Sequence, residues 1–387
     1  MKEIHVIVGA GAWRLDELRY RRHRLAEYLA ARPDTAHLFW VCPAPHRQIE
    51  RRAGSAGAIQ QWAITDLLPQ KSFRFARYLT VFHKKKLSEL VRMLQPYTAN
   101  SHLYLWYTFP GFPALSTLLP WRRVIYDRSD LWSAPISGKM SLIAKLRRRL
   151  IAEAEQKIVQ RADLIFCTSD YLHQVTDGEL PLEKRGRVIT MENGVDYELF
   201  AAVSQSAVRQ SPGQMVLGYI GGIKPKLDFG LLHEVAIRKP EWTLLLVGPD
   251  GTHGHSDFTR LLQCENVRWV DAVPPEAVPQ YMRQLTVGLM PYKSSPYNQA
   301  VFPLKLFEFL ASGKAAVGVH LPSTKKYEAE SVYCCLDHSD PESLIQVCSQ
   351  LGQTACTPEA VRKRQALAKA KDWPNIFSAM LEHVHEG

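Results

Sequence analysis

Short apolar, β-rich runs alternate with longer amphipathic segments along the whole chain, and the alternation starts twice. In the first half the strand candidates are Ile4–Val8, Leu38–Cys42, Leu103–Tyr107, Val124–Tyr126, Leu164–Thr168 and Val188–Thr190, with helical periodicity near 15–31, 75–95, 139–161 and 170–177. In the second half the strands are expected at Val216–Ile220, Thr243–Val247, Val267–Trp269, Val287–Met290, Ala315–Val319 and Val332–Cys334. Helices are expected there near 228–238, 276–284, 303–312, 341–351 and 358–371. Strand–helix alternation on this scale specifies a parallel sheet covered by helices on both faces. Two rounds of it in 387 residues, a length that can bury two cores, predict an α/β protein of two doubly wound, Rossmann-like domains facing a central cleft. The expected bounds are 1–200 and 201–371, joined through the Ser- and Gln-rich stretch Ala201–Gln214. Residues 372–387 form a C-terminal segment whose end, Glu382–Glu386, is expected to fray.

Open α/β sheets bind ligands beyond the carboxyl ends of their strands, so the strand-to-helix loops carry the interest. The most specific of them is Lys293-Ser294-Ser295-Pro296-Tyr297-Asn298-Gln299, an irregular polar stretch followed by the helical run from Pro303 to Ser312. A loop that opens a helix presents free N–H groups at the positive end of a dipole and can hold an anion. Lys305 in the first turn adds a mobile positive charge, and Glu308, three residues on, can accept from hydroxyls. A diphosphate joined to a ribose needs this pair of groups.

Four other loops have usable chemistry. Gly218-Tyr219-Ile220-Gly221-Gly222-Ile223-Lys224-Pro225-Lys226-Leu227-Asp228 runs from strand through a glycine pair and a basic loop to a helix capped by Asp228, an arrangement that can approach a phosphate closely. Tyr126-Asp127-Arg128-Ser129-Asp130 leaves a strand with two carboxylates flanking an arginine; Asp130 is the first choice for a general base, with Asp127 as a second base or a pin for the loop. Met191-Glu192-Asn193-Gly194-Val195-Asp196 offers an Asn-Gly turn with positive φ, and Asp196 a cap for Tyr197–Phe200. Gly9-Ala10-Gly11 follows the first strand, but the third glycine of a dinucleotide fingerprint is replaced by Arg14, which leaves a flexible loop or a plain turn.

The net charge of +10 lies entirely in the first half. Residues 1–150 hold 25 basic and 10 acidic side chains, and residues 201–387 hold 18 of each. Basic residues cluster at Arg19, Arg21, Arg22 and Arg24, at Lys84-Lys85-Lys86, and at Arg147-Arg148-Arg149. Phe73–Leu94 interleaves Phe73, Phe75, Tyr78, Leu79 and Phe82 with Arg74, Arg77 and the lysines, which reads as an interfacial helix for an anionic membrane surface or as the solvated face of a basic helix. The aromatics match no RNA-binding signature, so nucleic acid is not expected as a partner. Seven cysteines without a C-x-x-C spacing read as reduced thiols, and no D-x-D pair or zinc spacing implies a metal. The opening strand lacks the pattern of a signal peptide, which places the expected protein in the cytoplasm, peripheral at the inner face of the membrane.

The order Asn-Gly-Val-Asp, Gly-Tyr-Ile-Gly-Gly, Leu-Leu-Val-Gly-Pro, Gly-Leu-Met-Pro-Tyr, then Pro-Leu-Lys-Leu-Phe-Glu-Phe-Leu-Ala-Ser-Gly-Lys resembles the nucleotide-sugar glycosyltransferases of GT-B fold. More narrowly it is similar to bacterial surface-polysaccharide enzymes of the teichuronic acid kind, and more distantly to the xanthan glucuronosyltransferase. The resemblance implies that Glu308 binds the ribose, that Lys305 neutralises the diphosphate, and that backbone N–H groups from Asn298 and Gln299 to Phe302, just ahead of Pro303, complete the cradle. It implies that Val270–Val273 borders the base, usually uracil, that Gly221 and Gly222 approach the donor, and that the helix from Asp372-Trp373 crosses back to the first domain. Many retaining members carry a further glutamate where this chain has Ala300, and an arginine where it has Gly222, which leaves Lys224 and Lys226 as the nearby cations. An inverting enzyme needs one carboxylate base in the first domain, and Asp130 or Asp127 could serve. The expected activity is a metal-independent transfer from a UDP-sugar, a uronic acid suiting the arginine surplus, to a glycan or lipid-linked acceptor. The alternatives are an epimerase or hydrolase of the same fold, or an inactive nucleotide-sugar-binding protein.

Overall fold

The computed structural model describes residues 1–13, 19–44, 59–65, 75, 77–134, 142–202 and 215–386. Described residues of Met1–Ala134, Gly138–Glu192 and Phe377–Gly387 form one compact unit, and those of Asn193–Ile376 another. The division falls between Glu192 and Asn193, ahead of the expected 200/201, because Val195 and Phe200 are buried in the second unit's core and Val195 bridges to Asp372. Residues 203–214 of the expected join lie outside the described residues, as do 15–18 and 139–141 of two expected helices and Phe73 and Arg74 of the basic aromatic stretch.

The first unit holds seven strands: β1 (Lys2–Val8), β2 (Thr35–Ala44), β3 (Ile59–Thr65), β4 (Ser101–Tyr107), β5 (Arg123–Arg128), β6 (Leu164–Cys167) and β7 (Val188–Thr190). Their spatial order is β3-β2-β1-β4-β5-β6-β7, with every neighbouring pair parallel. Ile4–Val8 and Leu38–Cys42 are buried throughout, as strands covered on both faces must be. Strand β3 is not foreseen in the sequence: it lies at the sheet edge, and Gln60 and Gln61 break its apolar run. Among the described residues the helices of this unit include α1 (Arg21–Ala30), α2 (Thr80–Leu94), α3 (Leu142–Arg161) and α4 (Asp170–Glu179). Helix α2 buries His83, Leu87, Leu90 and Leu94, a stripe at three- and four-residue spacing. Tyr78, expected at an interface, is instead buried against Phe109.

The second unit repeats the plan with β8 (Val216–Ile220), β9 (Thr243–Val247), β10 (Val267–Val270), β11 (Val287–Pro291), β12 (Ala315–Val319) and β13 (Tyr333–Leu336). The order is β10-β9-β8-β11-β12-β13, again all parallel. Its helices are α5 (Tyr197–Ala201), α6 (Phe229–Arg238), α7 (Ser256–Leu261), α8 (Val278–Gln284), α9 (Pro296–Ala300), α10 (Lys305–Ala311), α11 (Pro341–Gln353) and α12 (Pro358–Lys369), and the chain ends in α13 (Trp373–His385). Asp228 caps α6 as expected, its carboxylate accepting from the Leu231 N–H. Asp196 makes no capping bond to α5; the Tyr197 N–H donates to Asp372 instead.

Two further expectations are corrected. Glu382–Glu386 does not fray: Val384 is buried, His385 pairs with Glu3 at 2.9 Å, and Arg123 donates to the Glu386 carbonyl. Asn193 and Gly194 have no positive φ. Gly194 is instead required by close approach, since a Cβ there would stand 2.7 Å from the Lys371 carbonyl oxygen. All seven cysteines are free. Among the described residues no helix is long and apolar enough to cross a membrane.

Candidate functional site

In the second sheet β8 and β11 are neighbours although β9 and β10 separate them in sequence. At such a switch of strand order the outgoing loops diverge and leave a crevice at the carboxyl edge. The loop from β8 begins with Gly221 at φ +147°. Its N–H donates to the Val247 carbonyl at 2.8 Å, and Ile223 N donates to Pro249 at 3.0 Å, so the loop leaving β9 braces the loop leaving β8. Gly248, at φ +142°, makes that bracing possible: a Cβ there would lie 2.1 Å from the Gly221 carbonyl oxygen.

The segment leaving β11 brings Lys305 to the same place. The lysine Cε lies 2.8 Å from where a Cβ on Gly221 would stand, so the side chain is laid over bare glycine backbone. Its Nζ donates to Glu308 Oε2 at 2.9 Å, and both side chains remain partly accessible, at 21 and 16 %. The structure thus joins Gly221, Lys305 and Glu308, residues more than eighty positions apart at the extremes, into one polar cluster. Lys224 folds back beside Gly222. Lys226 instead points onto the Tyr292 ring, its Nζ 4.6 Å from the centroid. Val273 sits half-buried in the loop that leaves the edge strand β10, packed against the unit's core.

The stretch ahead of Lys305 differs from expectation. Lys293–Gln299 is not irregular throughout, because Ser295 starts α9 with Pro296 at its first position. The Asn298 N–H donates to Ser295 Oγ, Gln299 N–H to Ser295 O and Val301 N–H to Asn298 O. Those N–H groups are spent inside the turn, which corrects their assignment to an anion cradle. The Asn298 side chain is fully buried and fastens the loops instead, its Nδ2 donating to the Lys226 and Lys293 carbonyls. Gln299 is exposed, and its carbonyl accepts from Ser323. Phe302 and Pro303 are buried, the Phe302 ring stacking on Phe307 at 5.6 Å.

Asn193, seen in the sequence only as part of a turn, has a defined task. Its Nδ2 donates to the Phe302 carbonyl at 2.6 Å and so fixes the entry to α10. Asn193→Ala leaves that carbonyl without its donor in a buried site. The expected loss is about 1–3 kcal/mol of stability, read as a lower urea midpoint at unchanged slope. A wild-type midpoint would show that the bond does not matter.

In the first unit the two candidate carboxylates have different settings. Asp127 belongs to β5 and is 1 % exposed; Arg21 Nε donates to both its oxygens at 3.0 and 2.9 Å. The same guanidinium donates to the Glu192 carbonyl at 2.7 Å, so Arg21 ties the ends of β5 and of the β7 exit. Asp130 lies beyond the strand, half-buried, with Ser129 Oγ 3.4 Å away. Arg128 does not stand between these carboxylates. It points into the core to Glu155 at 3.0 Å and to Glu179, with Tyr126 donating to Glu155 at 2.6 Å. Burial pushes the Glu155 carboxyl above its usual range even with Arg128 beside it.

Residues 214–354 match the family model described as glycosyl transferases group 1. The chain is 50% identical, over 98% of its length and 97% of the relative's, to a Bacillus subtilis (strain 168) protein provisionally named a teichuronic acid biosynthesis glycosyltransferase, TuaH. It is also similar in structure to sucrose-phosphate synthase from Thermosynechococcus elongatus, with a TM-score of 0.73 at 15% identity over 100% of this chain and 99% of that one. Anabaena HepE, solved in complex with UDP and glucose, gives 0.67 at 15% identity over 99% of each chain. The protein belongs to the group 1 glycosyltransferases and has the GT-B fold. The glycosyltransferase activity expected from the sequence therefore stands.

Proposed function

We propose that the enzyme transfers a sugar from a UDP-linked donor to a glycan or lipid-linked acceptor of cell-surface polysaccharide synthesis, without a metal ion. The observation that carries this reading is Lys305 laid over the bare backbone of Gly221 at the switch point of the second sheet, with Glu308 bonded to its ammonium. A departing diphosphate needs positive charge close to a backbone it can approach, and Lys305 over glycine supplies both. Glu308, one turn further along α10, accepts from the two ribose hydroxyls. Donor binding exchanges the present Lys305–Glu308 bond for one lysine–phosphate and one carboxylate–ribose contact. HepE carries UDP and glucose on the same fold, which supports a uridine nucleotide for the donor. The relative's name supports a surface polysaccharide as the product. A uronic acid remains the sugar we favour, on the arginine surplus of the first half.

Of the two carboxylates, we assign deprotonation of the acceptor hydroxyl to Asp130. Asp127 has both oxygens held by Arg21 and serves to anchor the end of β5. The acceptor is presented at the cytoplasmic face of an anionic membrane, to which the basic first half draws the protein.

UDP is expected to raise the melting temperature, and Glu308→Ala is expected to weaken UDP binding about 10- to 100-fold, the value of hydrogen bonds to a charged acceptor. If no nucleoside diphosphate shifts the melting temperature, the donor-site reading fails. If the variant binds UDP like the wild type, the ribose role of Glu308 fails.

A further inference from the structure

The large apolar side chains exposed among the described residues are not scattered. Five of the nine lie on two helices of the first unit, Val81 and Phe82 on α2 and Leu142, Ile143 and Leu146 on α3, so these helices need an explanation that single exposed residues do not. On α2 the buried stripe faces the core, and the outer face shows Val81 at 86 % exposure, Phe82, Lys84, Lys85, Ser88 and Arg92, with Glu89 the one acid. A shallow groove of about 580 Å³ runs beside this face, walled by Lys84, Lys85, Ser88 and Arg92 and closed by Leu118.

Helix α3 is the more unusual element. It has 20 residues, about 30 Å of helix, yet among the described residues its apolar packing begins at Leu150, where Leu150, Ile151 and Ala154 meet Tyr78 and Phe109. The first two turns, Leu142–Arg149, are exposed around most of their circumference. They carry Leu142 at 83 % exposure, Ile143 and Leu146 among Lys145, Arg147, Arg148 and Arg149, and no acidic residue. In water such a helix end leaves its leucines unburied and sets like charges against each other. At a bilayer surface the same composition is favourable: the apolar side chains enter the acyl boundary while the long basic stems reach the phosphates. Helices α2 and α3 both pack against the short 3-10 turn Pro113–Thr117 and belong to the same unit.

We propose that the outer face of α2 and the first two turns of α3 form a single docking face for a bilayer with anionic headgroups. The α3 end inserts, and the α2 groove receives a headgroup phosphate. This rests on the membrane reading given above and assigns it to named residues. It differs from the stretch expected in the sequence, because Tyr78 and His83 are core residues and the inserting leucines are on α3.

The test is co-sedimentation of the full chain with vesicles of phosphatidylcholine alone or with about one third phosphatidylglycerol. The wild type is expected to bind the anionic vesicles and to lose binding as salt rises. Lys84→Gln/Lys85→Gln/Arg92→Gln is expected to bind about 100-fold more weakly, three charges at the usual value for a membrane surface. Leu142→Ser/Ile143→Ser/Leu146→Ser keeps every charge and is expected to lose at least about tenfold. Both variants should keep the wild-type UDP-induced melting shift, so this proposal and the donor-site reading can fail separately. Absence of wild-type binding to anionic vesicles overturns the proposal. So does wild-type affinity in either triple variant, or capture of an acidic protein without any vesicle binding.

Discussion

Replacing Lys305 with alanine is expected to lower the rate of sugar transfer about 100- to 1,000-fold with a chelator present, while the UDP dissociation constant rises much less. The magnitude is that of deleting one preorganised donor at a developing negative charge, about 2.7–4 kcal/mol. The inequality follows from where the charge appears. In the bound donor the diphosphate is already an anion, but the bond to the sugar is intact. As that bond breaks, further negative charge collects on the leaving oxygen, and a lysine held over bare backbone at Gly221 gains most at that moment. Loss of the ammonium also frees Glu308, but that carboxylate is partly accessible and remains solvated, so collapse of the site does not explain a slow enzyme. Lys305→Arg separates charge from shape: the broad guanidinium cannot lie along Gly221 as the butyl-ammonium chain does, so it is expected to recover only part of the rate. A Lys305→Ala enzyme within a few fold of the wild-type rate would remove the lysine from the mechanism. A wild type that stops in chelator would remove metal independence.

The legible parts of this fold are those where one local pattern suffices. The strands of the second unit stand out because β9, β11 and β12 are covered on both faces and read as unbroken apolar runs. Lys305 and Glu308 stand out because a three-residue spacing on a short helix puts them on one side. What stayed hidden depends on partners far away in sequence. Nothing near Asp127 announces Arg21, 106 residues earlier, and without that guanidinium Asp127 stays open as a second base or a pin for the loop. Arg128 looked like part of the same loop, yet Glu155 and Glu179, on later helices, draw it into the core. The misreading of the anion cradle had a signal that could have prevented it. Ser295-Pro296 is a helix start in its own right, with a capping hydroxyl followed by the residue that needs no N–H partner.

Acidification is expected to cost the first unit on the order of 4 kcal/mol through His23 alone, between about pH 6.5 and about pH 3. The ring is fully buried on α1, its Nδ1 accepting from the Tyr20 N–H at 3.2 Å, and it lies 5.3 Å from both the Trp40 and the Trp13 rings. The Trp40 face stacked on the ring, with Trp13 tilted beside it, favours an imidazolium by about 1 kcal/mol. Burial opposes it more strongly, and Arg22, Arg19 and Arg24 add repulsion, so the pKa falls from the ordinary 6.5 to about 3. The sign follows. In the unfolded chain the ring takes a proton below 6.5, and in the folded chain it stays neutral to about 3. The contribution of His23 is therefore complete above 6.5, shrinks as the pH falls, and levels off below about 3. Burial of His5 in β1 lowers its pKa too, against the pull of Glu3, and acts in the same direction. Carboxylates also titrate in this range, so the wild-type curve alone cannot assign the loss. The difference between wild type and His23→Phe can, because every other group is common to both. The phenylalanine keeps the stack on Trp40 and gives up the Tyr20 contact, a fixed offset at any pH. The stability difference, followed by urea titration through intrinsic tryptophan fluorescence, should narrow steadily as the pH is lowered and then reverse in sign. A difference that stays constant from neutral pH to about pH 3.5 would mean that His23 is protonated in the folded unit and that the indole faces, not burial, decide its charge.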